Sequence, residues 1–150
     1  MPYRPTRAIS ILVLAAGIML SPLAVSHFDD KEIMQSYRQS WFALLASNFG
    51  PMVAMLKGEI PWDDKRMVEY ADQLAALTAM NVQRGFSPGT DKGTTRAKPE
   101  IWENREDFNE KLAAMREAAA SLQGVVAGGD RAEIAKGIAD TGKSCKACHD

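Results

Sequence analysis

Residues 130–150 read DRAEIAKGIADTGKSCKACHD, and the pattern in this segment is the starting point for the fold prediction. Asp130 is well placed to cap a helix, because an aspartate before the first turn accepts hydrogen bonds from free backbone amides. The apolar and small residues that follow recur at steps of four, three, four and three, as on one face of an α-helix. They are Ile134, Ile138, Thr141, Cys145 and Cys148. We therefore predict an amphipathic final helix whose buried face carries both cysteines.

Three earlier segments show the same helical periodicity. Each is bounded by residues that start or stop helices, such as aspartate before the first turn and glycine or proline after the last. The first helix is predicted to begin at Asp29 or Asp30 and to end at Gly50-Pro51. The second is predicted to begin at Asp63. The third is predicted to begin at Pro99 and to end at Gly124 or at Gly128-Gly129. A short helical turn is expected over residues 52–58, and a long loop over residues 85–98.

The periodic positions also predict which side chains are buried. They are Met34, Tyr37, Trp41, Leu44, Leu45 and Asn48 in the first helix, Met67, Tyr70, Ala71, Leu74, Leu77 and Thr78 in the second, and Ile101, Phe108, Leu112, Met115 and Leu122 in the third. No segment alternates like a strand, and short connections make neighbouring helices antiparallel. The prediction is therefore an all-α, antiparallel up-down-up-down four-helix bundle.

Composition excludes several classes of protein. The 150 residues suffice for one domain, and 46% hydrophobic with 25% charged residues is ordinary globular usage. The chain has 18 Lys and Arg against 19 Asp and Glu, a net charge of −1, which argues against a nucleic-acid partner. Two cysteines and two histidines are too few for a disulfide framework.

The N-terminal segment is typical of export rather than of a fold. Arg4 and Arg7 precede an apolar run over residues 8–20, and small residues follow up to Ser26. This is the order of a secretory signal, and the run is shorter than the roughly 20 apolar residues of a membrane span. We predict a cleaved signal peptide over residues 1–26 and one exported domain over residues 27–150, with no membrane segment after cleavage.

The reactive side chains of the C-terminal segment form a motif, Cys145-Lys146-Ala147-Cys148-His149. This is the Cys-x-x-Cys-His attachment signal for c-type haem. Two thiols about one turn apart can each form a thioether with a haem vinyl group, and the next imidazole can bind the iron. We therefore expect one covalent haem c per chain, held by Cys145 and Cys148, with His149 as the axial ligand.

Two other interpretations of the motif carry less weight. A dithiol redox site normally follows a strand and begins a helix, whereas this motif ends a helix. A zinc site lacks a fourth strong ligand unless His27 supplies it.

The group on the other side of the iron separates two functions. A methionine ligand would give a six-coordinate, low-spin electron carrier, whereas an apolar residue would leave a position open to a diatomic gas. Met34, Met52 and Met55 are the methionines considered as ligands, although core packing is the ordinary role of each.

The chain resembles the class II c-type cytochromes, and the cytochrome c′ family in particular. Besides the signal, the four helices and the terminal motif, the similar segments occur in the order of the family. They are Tyr37-Arg38-Gln39-Ser40, Ala46-Ser47-Asn48-Phe49-Gly50, Lys57-Gly58, Phe86-Ser87-Pro88-Gly89-Thr90 and Pro99-Glu100-Ile101-Trp102. The resemblance covers residues 27–150.

In this family the first helix supplies the distal haem residue four positions after a basic residue. The resemblance therefore implies that Phe42 covers the distal face of the haem and that Arg38 contacts a haem propionate. It carries over no proximal basic residue.

The resemblance also implies a periplasmic protein with five-coordinate iron. The expected ligands are nitric oxide and carbon monoxide, and the expected role is nitric oxide sequestration with a capacity for electron transfer to redox proteins. A homodimer through the first two helices is expected, and no enzyme activity is assigned. The alternative is a His/Met-ligated electron carrier.

Overall fold

The computed structural model describes residues 30–149. The predicted signal peptide over residues 1–26, His27, Asp29 and Asp150 lie outside this range. The elements are α1 (Asp30–Leu56), α2 (Asp64–Ala79), a 3-10 helix (Val82–Phe86), α3 (Glu100–Glu103), α4 (Arg105–Gly128) and α5 (Arg131–His149). Over the described residues there is no strand, and the all-α prediction is confirmed. None of the helices in this range is both long enough and apolar enough to cross a membrane.

Side-chain hydrogen bonds between α1, α2 and α4 show that successive long helices run antiparallel. Between α1 and α2, Trp41 bonds to Leu77 (2.8 Å), and Tyr37 bonds to Asn81, two residues after α2 (3.2 Å). Between α2 and α4, Arg116 bonds to Thr78 (3.1 Å) and Gln123 to Asp72 (2.9 Å). The two-residue link Gly129-Asp130 then reverses the chain into α5. The four long helices form the predicted up-down-up-down bundle, so α5 also runs antiparallel to α1.

The interior contains two hydrophobic clusters. The aliphatic cluster consists of Met52, Met55, Met67, Ala71, Leu74, Ala119, Leu122, Val126, Ile134 and Ile138. The aromatic cluster consists of Trp41, Val82, Phe86, Phe108, Leu112 and Met115. The α1–α2, α2–α4 and α4–α5 pairs pack extensively, whereas α1 and α5 make few contacts. The bundle is therefore loosest along the side shared by its first and last helices.

Two predictions about the first helix were wrong. The helix does not end at Gly50-Pro51 but continues through Pro51 to Leu56. Proline lacks a backbone N–H and weakens a helix interior, but burial of Met52 and Met55 in the aliphatic cluster offsets this cost. Leu44 was predicted to be buried and is 49% exposed. Its position is rotated about 100° from that of the partly buried Leu45, so only one of the two can face the core.

The third predicted helix is divided in the structure. It comprises α3 and α4, because Asn104 leaves helical geometry (φ −121°, ψ 68°) and its side chain caps α4 by accepting a hydrogen bond from the Asp107 amide (3.5 Å). Of the two predicted ends, the later one is correct, since α4 ends at Gly128 and Gly129 adopts a positive φ of 75°. The 3-10 helix was not predicted, because five residues are too few to show a period. It includes Gly85 and Phe86, so the loop begins at Ser87 and not at Gly85 as predicted.

The predicted caps of α2 and α5 are confirmed. The Asp63 carboxylate accepts a hydrogen bond from the Arg66 amide at 3.0 Å. The Asp130 carboxylate accepts from the amides of Ala132 and Glu133 at 2.8 and 3.1 Å. Both aspartates thus satisfy backbone donors that the first helical turn leaves free.

Close packing of α4 against α5 leads to a testable prediction. A Cβ on Gly137 would lie 2.9 Å from Leu122 Cδ1 and 3.1 Å from Val125 Cγ2, both on α4. We expect Gly137→Ala to lower the free energy of unfolding by about 1 kcal/mol, because overpacking exceeds the gain in helix propensity. The matched control is Gly124→Ala, where a Cβ would meet nothing within 4 Å, and it should stabilise by up to about 1 kcal/mol. Denaturant unfolding measures both, and equal changes would contradict the packing argument.

Candidate haem site

The last two turns of α5 carry the three residues predicted to hold haem. Cys145 is half-buried, while Cys148 and His149 are exposed. The prediction that both cysteines lie on the buried face therefore holds only in part for Cys145 and is wrong for Cys148. Cys148 lies in the final turn of α5, where it interacts electrostatically with the side chains of Lys111 and Asp107.

The electrostatics of the two thiols do not favour a dithiol redox site. Burial raises the pKa of Cys145 above its usual range. Although Cys148 as a residue is exposed, desolvation of its sulfur also raises its pKa, while the Lys111 ammonium opposes that shift and the Asp107 carboxylate adds to it. Redox-active cysteines usually have a lowered pKa, because the thiolate is the nucleophile. The raised pKa values favour the protonated thiols, which argues against rapid thiol–disulfide exchange.

The level of His149 within the bundle follows from one contact between α1 and α5. A Cβ on Gly142 would lie 3.8 Å from Phe49 Cζ, so the two helices face each other at this point. Phe42 precedes Phe49 by seven residues and His149 follows Gly142 by seven, and seven residues are almost two turns, or about 10.5 Å of helix. Because the helices are antiparallel, both steps lead in the same direction along the bundle. Phe42 and His149 thus lie at about the same level on facing sides of α1 and α5.

Phe42 is an apolar residue outside the buried core. Its side chain is 39% exposed, and its ring meets the Trp41 ring edge-on at 4.8 Å between centroids. Trp41 itself is buried and donates its indole N–H to the Leu77 carbonyl oxygen at 2.8 Å. The fixed indole therefore supports Phe42 on the loosely packed side of the bundle.

The aromatic cluster lies at the same end of the bundle as the Cys-x-x-Cys-His motif. Thr141 Oγ1 donates to the Gly137 carbonyl oxygen within α5 at 2.9 Å and lies 3.4 Å from the Ala118 carbonyl oxygen, so Thr141 of α5 is level with Ala118 of α4. Four residues further along α5, Cys145 is level with Ala114, between Leu112 and Met115 of the aromatic cluster. Apolar side chains of α4 therefore line the level at which the motif lies.

Arg38 is held by the 3-10 helix and by the loop that follows it. It is only 2% exposed, and its two terminal nitrogens donate four hydrogen bonds. The acceptors are the Gly85 carbonyl oxygen (2.9 Å), Thr90 Oγ1 (3.1 Å), the Thr90 carbonyl oxygen (2.8 Å) and Thr95 Oγ1 (2.8 Å). The guanidinium carbon also lies 5.2 Å from the Phe86 ring centroid and 5.6 Å from that of Trp102. Four of the five guanidinium N–H groups are thus committed to the protein, and Nε–H is the remaining donor.

Sequence reasoning identified Arg38 but missed its partners in the loop. Gln35 also donates to the Thr90 carbonyl oxygen, and Gln39 donates to that of Thr94 at 3.2 Å. Burial lowers the pKa of Arg38, and the Asp91 carboxylate opposes that shift. A loop without apolar period gives no signal for such contacts, so Thr90 and Thr95 could be identified only from the folded chain. The contact between Arg38 and a haem propionate stays a prediction.

The residues present fit a c-type haem. Two thiols one turn apart on one helix, an imidazole on the next residue, and apolar side chains on α1 and α4 are the donors and walls that such a group needs. Cys145 and Cys148 would hold the porphyrin edge, and His149 would bind the iron.

Comparison with known proteins gives matches along most of the chain. A family model described as Cytochrome C' matches residues 34–150. Cytochrome c′ of Cereibacter sphaeroides is 36% identical over 141 residues, which cover 92% of this chain and 94% of that relative.

Solved structures of similar proteins also match this chain over most of its length. Cytochrome c prime from Shewanella frigidimarina is 42% identical with a TM-score of 0.78, and the match covers 82% of this chain and 95% of that chain. A mutant of cytochrome c prime from Alcaligenes xylosoxidans, solved as its nitric oxide complex, is 36% identical with a TM-score of 0.73 and the same coverage of 82% and 95%. A carbon monoxide-bound variant of that protein matches with the same values.

Proposed function

Because this chain belongs to the cytochrome c′ family, we propose that it is a periplasmic haem protein with five-coordinate iron that binds nitric oxide and carbon monoxide. Cys145 and Cys148 attach one haem c through thioethers, and His149 is the axial ligand. When bound, the haem supplies the iron that takes up a diatomic gas. The role of the chain is to hold the haem, to keep water away from its distal face and to leave that face without a protein ligand.

The observation that carries this proposal is the position of Phe42 relative to His149. The two residues lie at about the same level on facing helices, so Phe42 is the α1 side chain placed to cover the face opposite the imidazole. A phenyl ring has no lone pair with which to bind iron. Phe42 therefore supports a five-coordinate iron in a dry, apolar environment.

The positions of the three methionines considered as ligands support the same choice. Met52 and Met55 are buried in the aliphatic cluster, ten and thirteen residues beyond Phe42, or about 15 and 20 Å along α1. Met34 is half-buried and lies eight residues before Phe42, about 12 Å in the other direction. None of the three is level with His149, which disfavours the His/Met electron carrier.

The gas ligands are proposed by analogy with the Alcaligenes xylosoxidans relative, variants of which were solved with nitric oxide and with carbon monoxide. We propose sequestration of nitric oxide as the role and assign no catalytic turnover, while the haem retains the capacity to exchange electrons with redox proteins. Export to the periplasm rests on the signal peptide proposed over residues 1–26.

A homodimer through α1 and α2 belongs to the same proposal. Large apolar side chains are exposed along both helices, namely Ile33 and Leu44 on α1, Val68 on α2 and Met80 directly after α2. A second copy of the chain would cover such side chains, since apolar surface is preferentially buried in homodimers. Sedimentation equilibrium of the wild type and of a Leu44→Glu variant would test it. We expect the variant to dissociate at concentrations where the wild type remains dimeric.

The experiment that tests the proposed function is spectroscopy of the purified holoprotein. Optical and electron paramagnetic resonance spectra are recorded in the ferric and ferrous states, before and after addition of carbon monoxide. We expect high-spin ferrous iron that takes up carbon monoxide. Low-spin iron that does not respond to carbon monoxide would establish a methionine ligand and replace our proposal with the electron carrier.

A further inference from the structure

An ion pair on α4 lies beside the end of α5. Lys111 Nζ donates a hydrogen bond to Asp107 Oδ2 at 2.7 Å, and the two side chains are 37% and 46% exposed. This spacing of four residues places both charges on one face of α4. The hydrogen bond raises the pKa of Lys111, so the ammonium stays charged at neutral pH. The pair therefore presents one positive and one negative charge beside the end of α5.

The register of α5 against α4 places Lys111, the positive member of the pair, at the level of Cys148. Thr141 of α5 contacts Ala118 of α4, and a Cβ on Gly137 of α5 would meet Leu122 of α4. A step of four residues forward along α5 therefore corresponds to a step of four residues back along α4. Cys148 lies seven residues after Thr141 on α5, and Lys111 lies seven residues before Ala118 on α4. Cys148 is therefore level with Lys111. Both charges of the pair also act electrostatically on the Cys148 sulfur.

We propose that the Lys111–Asp107 pair sets the reduction potential of the haem from the side on which Cys148 is attached. This inference rests on the proposed haem attachment through Cys148. Reduction adds one electron to the iron, supplied in the experiment by dithionite, and it changes neither the thioether bonds nor the protonation of the pair. A nearby cation favours the ferrous state because that state carries one positive charge less, and a nearby anion favours the ferric state. Lys111 therefore raises the potential, and Asp107 lowers it.

Removing the charge of Lys111 and removing the charge of Asp107 should shift the reduction potential in opposite directions. Loss of an ion pair with a purely structural role would not produce shifts of opposite sign. In a redox titration of the holoprotein, Lys111→Gln should shift the equilibrium toward ferric haem about three- to tenfold, or about 30–60 mV to lower potential at 59 mV per tenfold change. Asp107→Asn should shift it in the opposite direction by a similar factor. Lys111→Arg keeps the charge and should restore the wild-type potential.

The matched control is the exposed pair of Lys143 and Asp140 on α5, whose Nζ–Oδ1 distance is 2.9 Å. Lys143→Gln also removes one positive charge and one ion pair, and it should leave the potential within about twofold of wild type. The Lys143 side chain is 77% exposed against 37% for Lys111, and it lies on the side of α5 away from both cysteines, so solvent screens its charge more strongly. Shifts of the same sign for Lys111→Gln and Asp107→Asn, or no shift for either, would overturn the inference.

Mass spectrometry of each protein separates this result from failure of the proposed function. If the wild type carries no haem on Cys148, the proposed attachment is wrong. If haem is attached in every variant and the potentials do not move in opposite directions, only the role of Lys111 and Asp107 is wrong.

Discussion

Carbon monoxide should bind the ferrous Phe42→Ala protein about 10- to 100-fold faster than the wild type. The physical reason is steric, because a gas that enters opposite His149 has to displace a phenyl ring that the buried Trp41 supports from one side. A barrier lower by about 1.4–2.8 kcal/mol would account for this range, since each 1.4 kcal/mol changes a rate tenfold. Stopped-flow mixing of the ferrous protein with carbon monoxide measures the rate.

Leu44→Ala is the matched control for this experiment, since it also removes a large exposed apolar side chain from α1. We expect it to leave the rate unchanged. An unchanged rate in Phe42→Ala would remove the steric argument and the distal role of Phe42 with it. Phe42→Met adds a second test, because a thioether at this position should bind the iron and make it low-spin, whereas Leu44→Met should not.

The second large effect concerns stability. Arg38→Gln should lower the free energy of unfolding by about 3–5 kcal/mol, because the shorter amide cannot reach the acceptors on Gly85, Thr90 and Thr95 together. Removing one partner of a buried, charge-assisted network leaves polar groups unsatisfied, and that penalty accounts for the estimate. Denaturant unfolding of the holoprotein measures the change.

Arg84→Gln is the control for the loss of an arginine. Arg84 is exposed and stacks on the Tyr37 ring at 4.6 Å from its centroid, so its replacement should cost no more than about 1 kcal/mol. A double-mutant cycle of Arg38→Gln with Thr95→Val should show a coupling energy of about 1 kcal/mol, since the two side chains share a hydrogen bond. Equal effects of Arg38→Gln and Arg84→Gln would show that Arg38 does not hold the loop.

Much of the fold could be predicted without coordinates because it depends on local patterns. The steps of three and four residues in each segment correspond to the helical period, and the aspartates at positions 63 and 130 cap the helices that follow them. Pro51 shows the limit of such patterns. Its local preference is to end a helix, but burial of the methionines that follow it outweighs that preference.

The candidate site likewise combines residues that the sequence identifies with contacts that only the structure shows. Cys145, Cys148 and His149 are recognised by their spacing, because attachment and ligation need residues that are neighbours on one helix. Arg38 was identified from a resemblance, but its four hydrogen bonds reach residues 47 to 57 positions away. A local pattern carries no information about such distant partners.

The amino-acid sequence alone was therefore sufficient for the helical class, the order of the four long helices, the caps and the haem-attachment motif. All of these depend on residues within a few turns of one another. The tertiary structure was needed to place Phe42 level with His149, to bury Arg38 under the loop and to bring Lys111 beside Cys148. Those relations depend on how helices distant in sequence pack in register, and that register is set by burial of the two hydrophobic clusters as a whole.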